Sequence, residues 1–155
     1  MWQNYMIKDL IIGAFCNYPF EVLKPWIFSI KESGFNGDII LIAIDSNEQA
    51  IQQIEACDVK TIRVKKKGKM MVHMLRFLHI YNYLKENNNK YRYVITTDVR
   101  DVIFQKNPSE WLEAHCKEGI VAQSESIRIK DEKWNRENII KNFGSDFYED
   151  VKDNE

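Results

Sequence analysis

The chain reads as an α/β protein, a Rossmann-like α/β/α sandwich with a mostly parallel sheet. Three observations predict this. Short apolar runs alternate with stretches of helical spacing, and turn or capping residues punctuate the junctions. A run of aromatic and β-branched residues, Tyr91-Arg92-Tyr93-Val94-Ile95-Thr96-Thr97, reads as a buried strand. It leads directly into Asp98-Val99-Arg100-Asp101, placing carboxylates at the rim of a sheet, where α/β proteins bind ligands.

Leu10 to Phe15, between Asp9 and Asn17, is the first predicted strand. Glu21 to Ser33 carries Val22, Leu23, Trp26, Ile27 and Ile30 at helical spacing, and Pro25 suits a helix that starts at or near it. Gly34 ends that helix, Gly37-Asp38 opens the strand Ile39 to Ile44, and Asp45 stands at its exit. Ser46 followed by Gln49 matches a capping box, so a helix is expected from Asn47 to about Ala56. Val59 to Val64 is a weaker third strand. Met70 to Lys85 is a long helix with Met71, Met74, Leu75, Leu78 and Tyr81 on one face, and Glu86 to Lys90 breaks the chain before the fourth strand.

Asn107-Pro108 reads as an N-cap followed by proline at the first helical position, opening a short helix through His115. Gly119 to Gln123 is a further predicted strand. Asp131 caps a helix through Asn142, closed by Gly144. With right-handed crossovers and strand order 3-2-1-4, a crevice opens between the first and fourth strands. Cys16-Asn17-Tyr18 and Asp98 would meet at its mouth.

Composition narrows the class. The 155 residues are 45% hydrophobic and 12% aromatic, enough for one domain with a real core. Lys and Arg number 22 against 23 Asp and Glu, a balance that gives no bulk attraction to nucleic acid or membrane. Cys16, Cys57 and Cys116 form neither a disulfide framework nor a zinc pattern, which points to a reducing compartment. The N-terminus lacks signal-peptide character and no apolar run reaches membrane-span length, so the expectation is a soluble, cytoplasmic protein. Lys65-Lys66-Lys67-Gly68-Lys69 is read as a solvated loop, since it lacks the first glycine and the Ser/Thr of a Walker loop.

Carboxylates such as Asp98 and Asp101 suit Mg²⁺ or Mn²⁺, which often bridge protein to substrate phosphates. The same two acids would equally end a strand and cap a turn. Thr97 to Gln105 resembles the acidic motif region of nucleotide-sugar-dependent glycosyltransferases of the GT-A fold. The resemblance extends upstream to Arg76-Phe77, Tyr81 and Leu84, and downstream to Ser124-Glu125 and Asp131 to Asn135. The usual motif is Asp-x-Asp, whereas here Arg100 intervenes and the second acid is Asp101.

The resemblance implies a metal-dependent glycosyltransferase using a nucleotide-diphospho-sugar donor and an acceptor of unspecified class. Residues 1–155 would form its single donor-binding domain, without the C-terminal acceptor portion. A non-catalytic nucleotide-sugar-binding or interaction module is the alternative. On this reading Asp98 contacts metal or ribose, and Asp101 is the second metal ligand. Arg100 either leaves Asp101 free for that role or pairs with it. Arg76 approaches the donor phosphate or sugar, where a guanidinium binds oxygens bidentately. Phe15, Asn17 and Tyr18 seat the nucleotide base, though Phe15 also suits the core and Tyr18-Pro19 a turn. Glu125 faces the donor sugar. Trp134 and Asn135 line an acceptor groove, or Trp134 is buried on an amphipathic helix. His73 and His79 are read as surface or packing residues. A phosphoryl-transfer enzyme with Asp98 as nucleophile is disfavoured, because no Ser/Thr-then-Lys pair accompanies it.

Overall fold

A computed structural model describes residues 7–66, 68, 71–87, 90–116, 119–122 and 126–154. They fall into two compact units, Met1–Lys117 and Glu118–Glu155. The first unit holds β1 (Lys8–Cys16), α1 (Phe20–Glu32), β2 (Asp38–Ile44), α2 (Glu48–Glu55), β3 (Lys60–Val64), α3 (Val72–Glu86), β4 (Tyr91–Thr96) and α4 (Pro108–His115). The four strands form one sheet in the order β3-β2-β1-β4, with every pairing parallel. The expected α/β/α class and strand order are both present.

Period-two alternation in the central strands divides the core into two layers. Ile11, Phe15, Leu41 and Ala43 pack with Leu23, Trp26, Ile27 and Ile30 of α1 and with Ile51 and Ile54 of α2. Leu10, Ile12, Ile40, Ile42 and Ile44 face the other way, against Leu75, Ile80 and Tyr83 of α3. A strand buried on both faces must be apolar there, as β1 is from Leu10 and β2 from Ile39.

Several local expectations are corrected. Pro25 lies inside α1 rather than at its start. The N–H it lacks would have bonded the exposed first turn, while Trp26 and Ile27 beside it are fully buried and anchor the helix. Asn47, not Ser46, caps α2, accepting a hydrogen bond from the Ala50 N–H at 2.8 Å. The Ser46 hydroxyl is used elsewhere: it donates to the Ile44 carbonyl and accepts from the Asn17 N–H, both at 3.1 Å. On α3 the expected stripe is rotated by about one residue. Met71, Met74, Leu78 and Tyr81 are exposed, whereas Val72, Leu75, Ile80, Tyr83 and Leu84 meet the sheet. The Asn107 cap and Pro108 at the start of α4 are as expected.

The second unit contains a 3-10 turn (Ile129–Asp131), α5 (Lys133–Phe143) and α6 (Ser145–Val151). Glu132, not Asp131, caps α5, its carboxylate accepting from the Asn135 N–H at 2.6 Å. Helix α6, which follows Gly144 at φ 91°, is an element the sequence reading does not include. Gly119–Ala122 form no strand, and Gln123 lies outside the described residues.

At the opposite end of the sheet from the strand exits, the pairing of β1 with β4 shifts register between Lys8 and Leu10. The buried Asp9 carboxylate fills this irregularity, accepting from Arg92 Nε at 3.0 Å, Arg92 Nη2 at 2.9 Å and the Tyr93 N–H at 3.3 Å. Burial pushes Asp9 up, but its bonds to Arg92 and Tyr93 and the Arg92 charge outweigh that and hold it below the ordinary value of 3.8. A carboxylate depressed in the folded state contributes stability above its unfolded pKa and loses it as pH falls through the folded one. Stability to urea is therefore expected to drop on acidification below about pH 4, and Asp9→Asn should make that acid limb shallower. Identical acid limbs for wild type and Asp9→Asn would count against this linkage.

Candidate active site at the β1–β4 crevice

Because the strands are parallel, the C-terminal ends of β1 and β4 share one edge of the sheet. The chain runs from β1 to β2 on one side and returns through α3 to β4 on the other. The split between β1 and β4 is thus the topological switch point, the place where open α/β sheets hold ligands. A cavity of about 320 Å³ opens there. Ala14, Phe15, Cys16 and Tyr18 line it from β1 and its exit, Val72, His73 and Arg76 from α3, and Asp98 to Asp101 from the loop after β4.

The loop is held in place from the α1 side. Trp26 Nε1 donates to Thr97 Oγ1 at 2.9 Å. Val99 is buried in the α1-facing core and presses on Gly13 of β1, where a Cβ would run into its methyl group. Further on, the Phe104 N–H donates to Ser29 Oγ at 3.1 Å, and Phe104 meets Trp26 edge to face with centroids 6.4 Å apart. With Val99 buried, its neighbours Asp98, Arg100 and Asp101 are turned to the crevice.

Arg76 is explained by the rotated face of α3. It falls between Leu75 and Ile80 on the sheet-facing side, so its side chain is 29% exposed and its guanidinium is carried into the crevice. Arg76 Nη1 donates to Asp98 Oδ1. Its Nε is enclosed and has no hydrogen-bond partner among the described groups. A buried donor without an acceptor is costly.

Arg100 and Asp101 form a two-point pair: Nε to Oδ1 at 2.9 Å and Nη2 to Oδ2 at 3.2 Å. Of the two readings of Arg100, pairing with Asp101 is the one present, although both side chains are exposed. The guanidinium holds Asp101 below the usual carboxylate range, and Asp101 raises Arg100 in return.

The other singled-out residues separate clearly. Phe15 is both core and cavity wall, and Tyr18 lines the cavity while packing on the α1-side core. Asn17 does not line the cavity. It is exposed in the left-handed conformation at φ 54°, turning the chain out of β1 as Asp45 does at φ 46° after β2. Glu125 lies outside the described residues. Trp134 is exposed, so it is not the buried member of an amphipathic helix. His73, read as a surface or packing residue, is exposed and also lines the cavity. The signal for it was its spacing, one helical turn before Arg76 on the same face.

A hard divalent cation needs several oxygen ligands. Among the described residues, no group of three or more His, Cys, Asp or Glu side chains could hold a metal ion. Asp98 is engaged by Arg76 and Asp101, through both oxygens, by Arg100. As arranged, the two carboxylates do not fit a direct metal site.

Fold and crevice define a Rossmann-like α/β domain with a cavity at the switch point. Set against known protein families and curated proteins, the chain matches no family model and no curated sequence. Among the described residues, no helix is long and apolar enough to cross a membrane.

Proposed function

We propose that the β1–β4 crevice binds the diphosphate of a nucleotide-diphospho-sugar and that the chain is the donor-binding part of a glycosyltransferase. One observation carries this reading: Arg76 lines the crevice at the switch point, its guanidinium held there by Asp98. A phosphate has several oxygens in the geometry a guanidinium fork matches. Tyr18 supplies aromatic surface beside it for the nucleoside, backed by the buried Phe15. The resemblance of Thr97 to Gln105 to the acidic region of GT-A enzymes supports a nucleotide-diphospho-sugar as the ligand.

In transfer, negative charge grows on the leaving diphosphate as the bond to the sugar breaks. Preorganised cationic donors stabilise that charge more in a cleft than in water. Arg76, set by Asp98, and Arg100, set by Asp101, would do this. A second reading, binding without transfer, is favoured by the same pairing. Neither carboxylate of the crevice stands clear of an arginine, as a general base for an incoming acceptor must.

Calorimetric titration with nucleoside diphosphates tests the proposal, with dissociation constants expected between about micromolar and millimolar. Arg76→Lys keeps the charge but loses the planar fork. Binding should weaken about tenfold or more, from the loss of about 1.5–3 kcal/mol in charged hydrogen bonds, with little change in urea stability. Equal affinity in wild type and Arg76→Lys would reject a bidentate phosphate contact. A radiolabelled-sugar assay, scored for transfer and hydrolysis, separates the two readings.

A further inference from the structure

We infer that the acidic cluster after β4 works by holding two arginines for anion recognition rather than by ligating a divalent cation. The inference rests on the reading of the crevice as a diphosphate site and specifies how that site recognises its ligand. Four observations support it together. Both oxygens of Asp101 are taken by Arg100. Asp98 is taken by Arg76, which reaches it from another element. The residue two places beyond Asp98 is a cation, so the loop alternates in sign instead of concentrating negative charge. Arg76 lines the cavity from α3, and a guanidinium there offers hydrogen-bond donors that suit an anion and not a metal.

Electrostatics points the same way. Two guanidinium groups and two carboxylates at the rim leave no net negative field to concentrate a dication. An arriving diphosphate, by contrast, can exchange into both ion pairs. Its oxygens replace Asp98 on Arg76 and Asp101 on Arg100, trading one charged hydrogen-bonded pair for another of similar kind. The carboxylates then serve two purposes. They hold the guanidinium groups in register while the site is empty, and they compete with weak anions, so that a ligand engaging both arginines at once is preferred over a monophosphate. Asp98 and Asp101 are on this account positioning residues.

The two roles make opposite predictions for one isosteric change. If Asp98 competes with the ligand for Arg76, Asp98→Asn leaves nucleotide affinity unchanged or raises it a few-fold. If Asp98 ligates a metal, the same change removes metal-dependent binding. The experiment titrates uridine diphosphate and guanosine diphosphate into wild type, Asp98→Asn and Asp101→Asn, each with excess EDTA and then with MnCl₂. Circular dichroism confirms that each variant is folded. The expected result is binding in EDTA, within about threefold of that in Mn²⁺, with Asp98→Asn at least as tight as wild type. A diphosphate should bind more tightly than the matching monophosphate. Wild-type binding that appears only with Mn²⁺ and is lost in Asp98→Asn would overturn the arginine role while leaving the crevice a diphosphate site. No binding of either nucleotide under any condition would overturn the crevice reading itself, and the arginine role with it.

Discussion

Trp26→Ala is expected to cost about 3–5 kcal/mol of stability, the range for removing a large buried aromatic. Trp26 is 1% exposed at the centre of the α1-facing core. It also holds the loop after β4: its indole N–H bonds Thr97 and its ring meets Phe104. Trp26→Phe keeps most of the apolar volume but leaves the Thr97 hydroxyl without this donor. That change should cost less, about 1–3 kcal/mol from the unmade bond and the smaller ring. Urea unfolding followed by far-ultraviolet circular dichroism measures both. The order Ala well below Phe, and Phe below wild type, is expected. A Trp26→Ala protein as stable as wild type would contradict the packing described for α1.

Gly13→Ala is the second large effect. It is informative because one added methyl acts at a distance from the crevice wall it disturbs. Gly13 is on the α1-facing side of β1, and a Cβ there would collide with a methyl of the buried Val99 while standing 3.4 Å from Leu41 and 3.5 Å from Trp26. Valine is stiff at χ1 and is walled in, so the collision has to be relieved by moving the backbone of the loop. Overpacking of this kind costs about 1–3 kcal/mol. Shifting Val99 also shifts Asp98 and Arg100 on either side of it, so nucleotide binding should fall along with stability. Val99→Ala in the same chain removes the obstructing methyl groups. The double variant is therefore expected to regain part of both losses, a coupling that a double-mutant cycle reads directly. Strict additivity of the two changes would place the collision elsewhere.

The regular elements were legible because the forces that make them are local. The apolar runs of β1 and β2, the Asn107-Pro108 start of α4 and the glycine after α1 each state their role within a few residues. The order 3-2-1-4 was one of those that right-handed crossovers allow, and it is the one the sheet has. What could not be read was choice among neighbours of equal competence. Ser46 and Asn47 are both good caps, and the decision fell to Asn17, whose N–H takes the serine hydroxyl from across the loop. Helix α3 is apolar on more than one side, with Met71, Met74, Phe77, Leu78 and Tyr81 all exposed. Periodicity alone therefore did not fix which stripe meets the sheet. The one-residue rotation matters for the site, since it turns Arg76 from a surface side chain into a crevice wall.

Within the site, Asp98, Arg76, Phe15 and Tyr18 were brought together as the motif and the switch-point argument required. The pairing of Arg76 with Asp98 was not foreseen, because it joins residues 22 positions apart through a tertiary contact. Asn17 was grouped with its neighbours by proximity in sequence, yet the turn out of β1 leaves it outside the cavity. Residues 119–122 carry β-branched character without forming a strand. A short apolar run becomes a strand only where a sheet edge receives it, and propensity does not supply the edge.

The β1–β4 crevice is, on the proposed function, a diphosphate site. Its most direct test is a backbone amide chemical-shift titration of the labelled chain with uridine diphosphate and guanosine diphosphate. The account predicts that the largest shifts fall on residues 14–18, 72–76 and 97–101, the three segments around the cavity, and that they are lost in Arg76→Ala. Saturable shifts clustered elsewhere on the chain, or shifts in these segments that persist undiminished in Arg76→Ala, would contradict it.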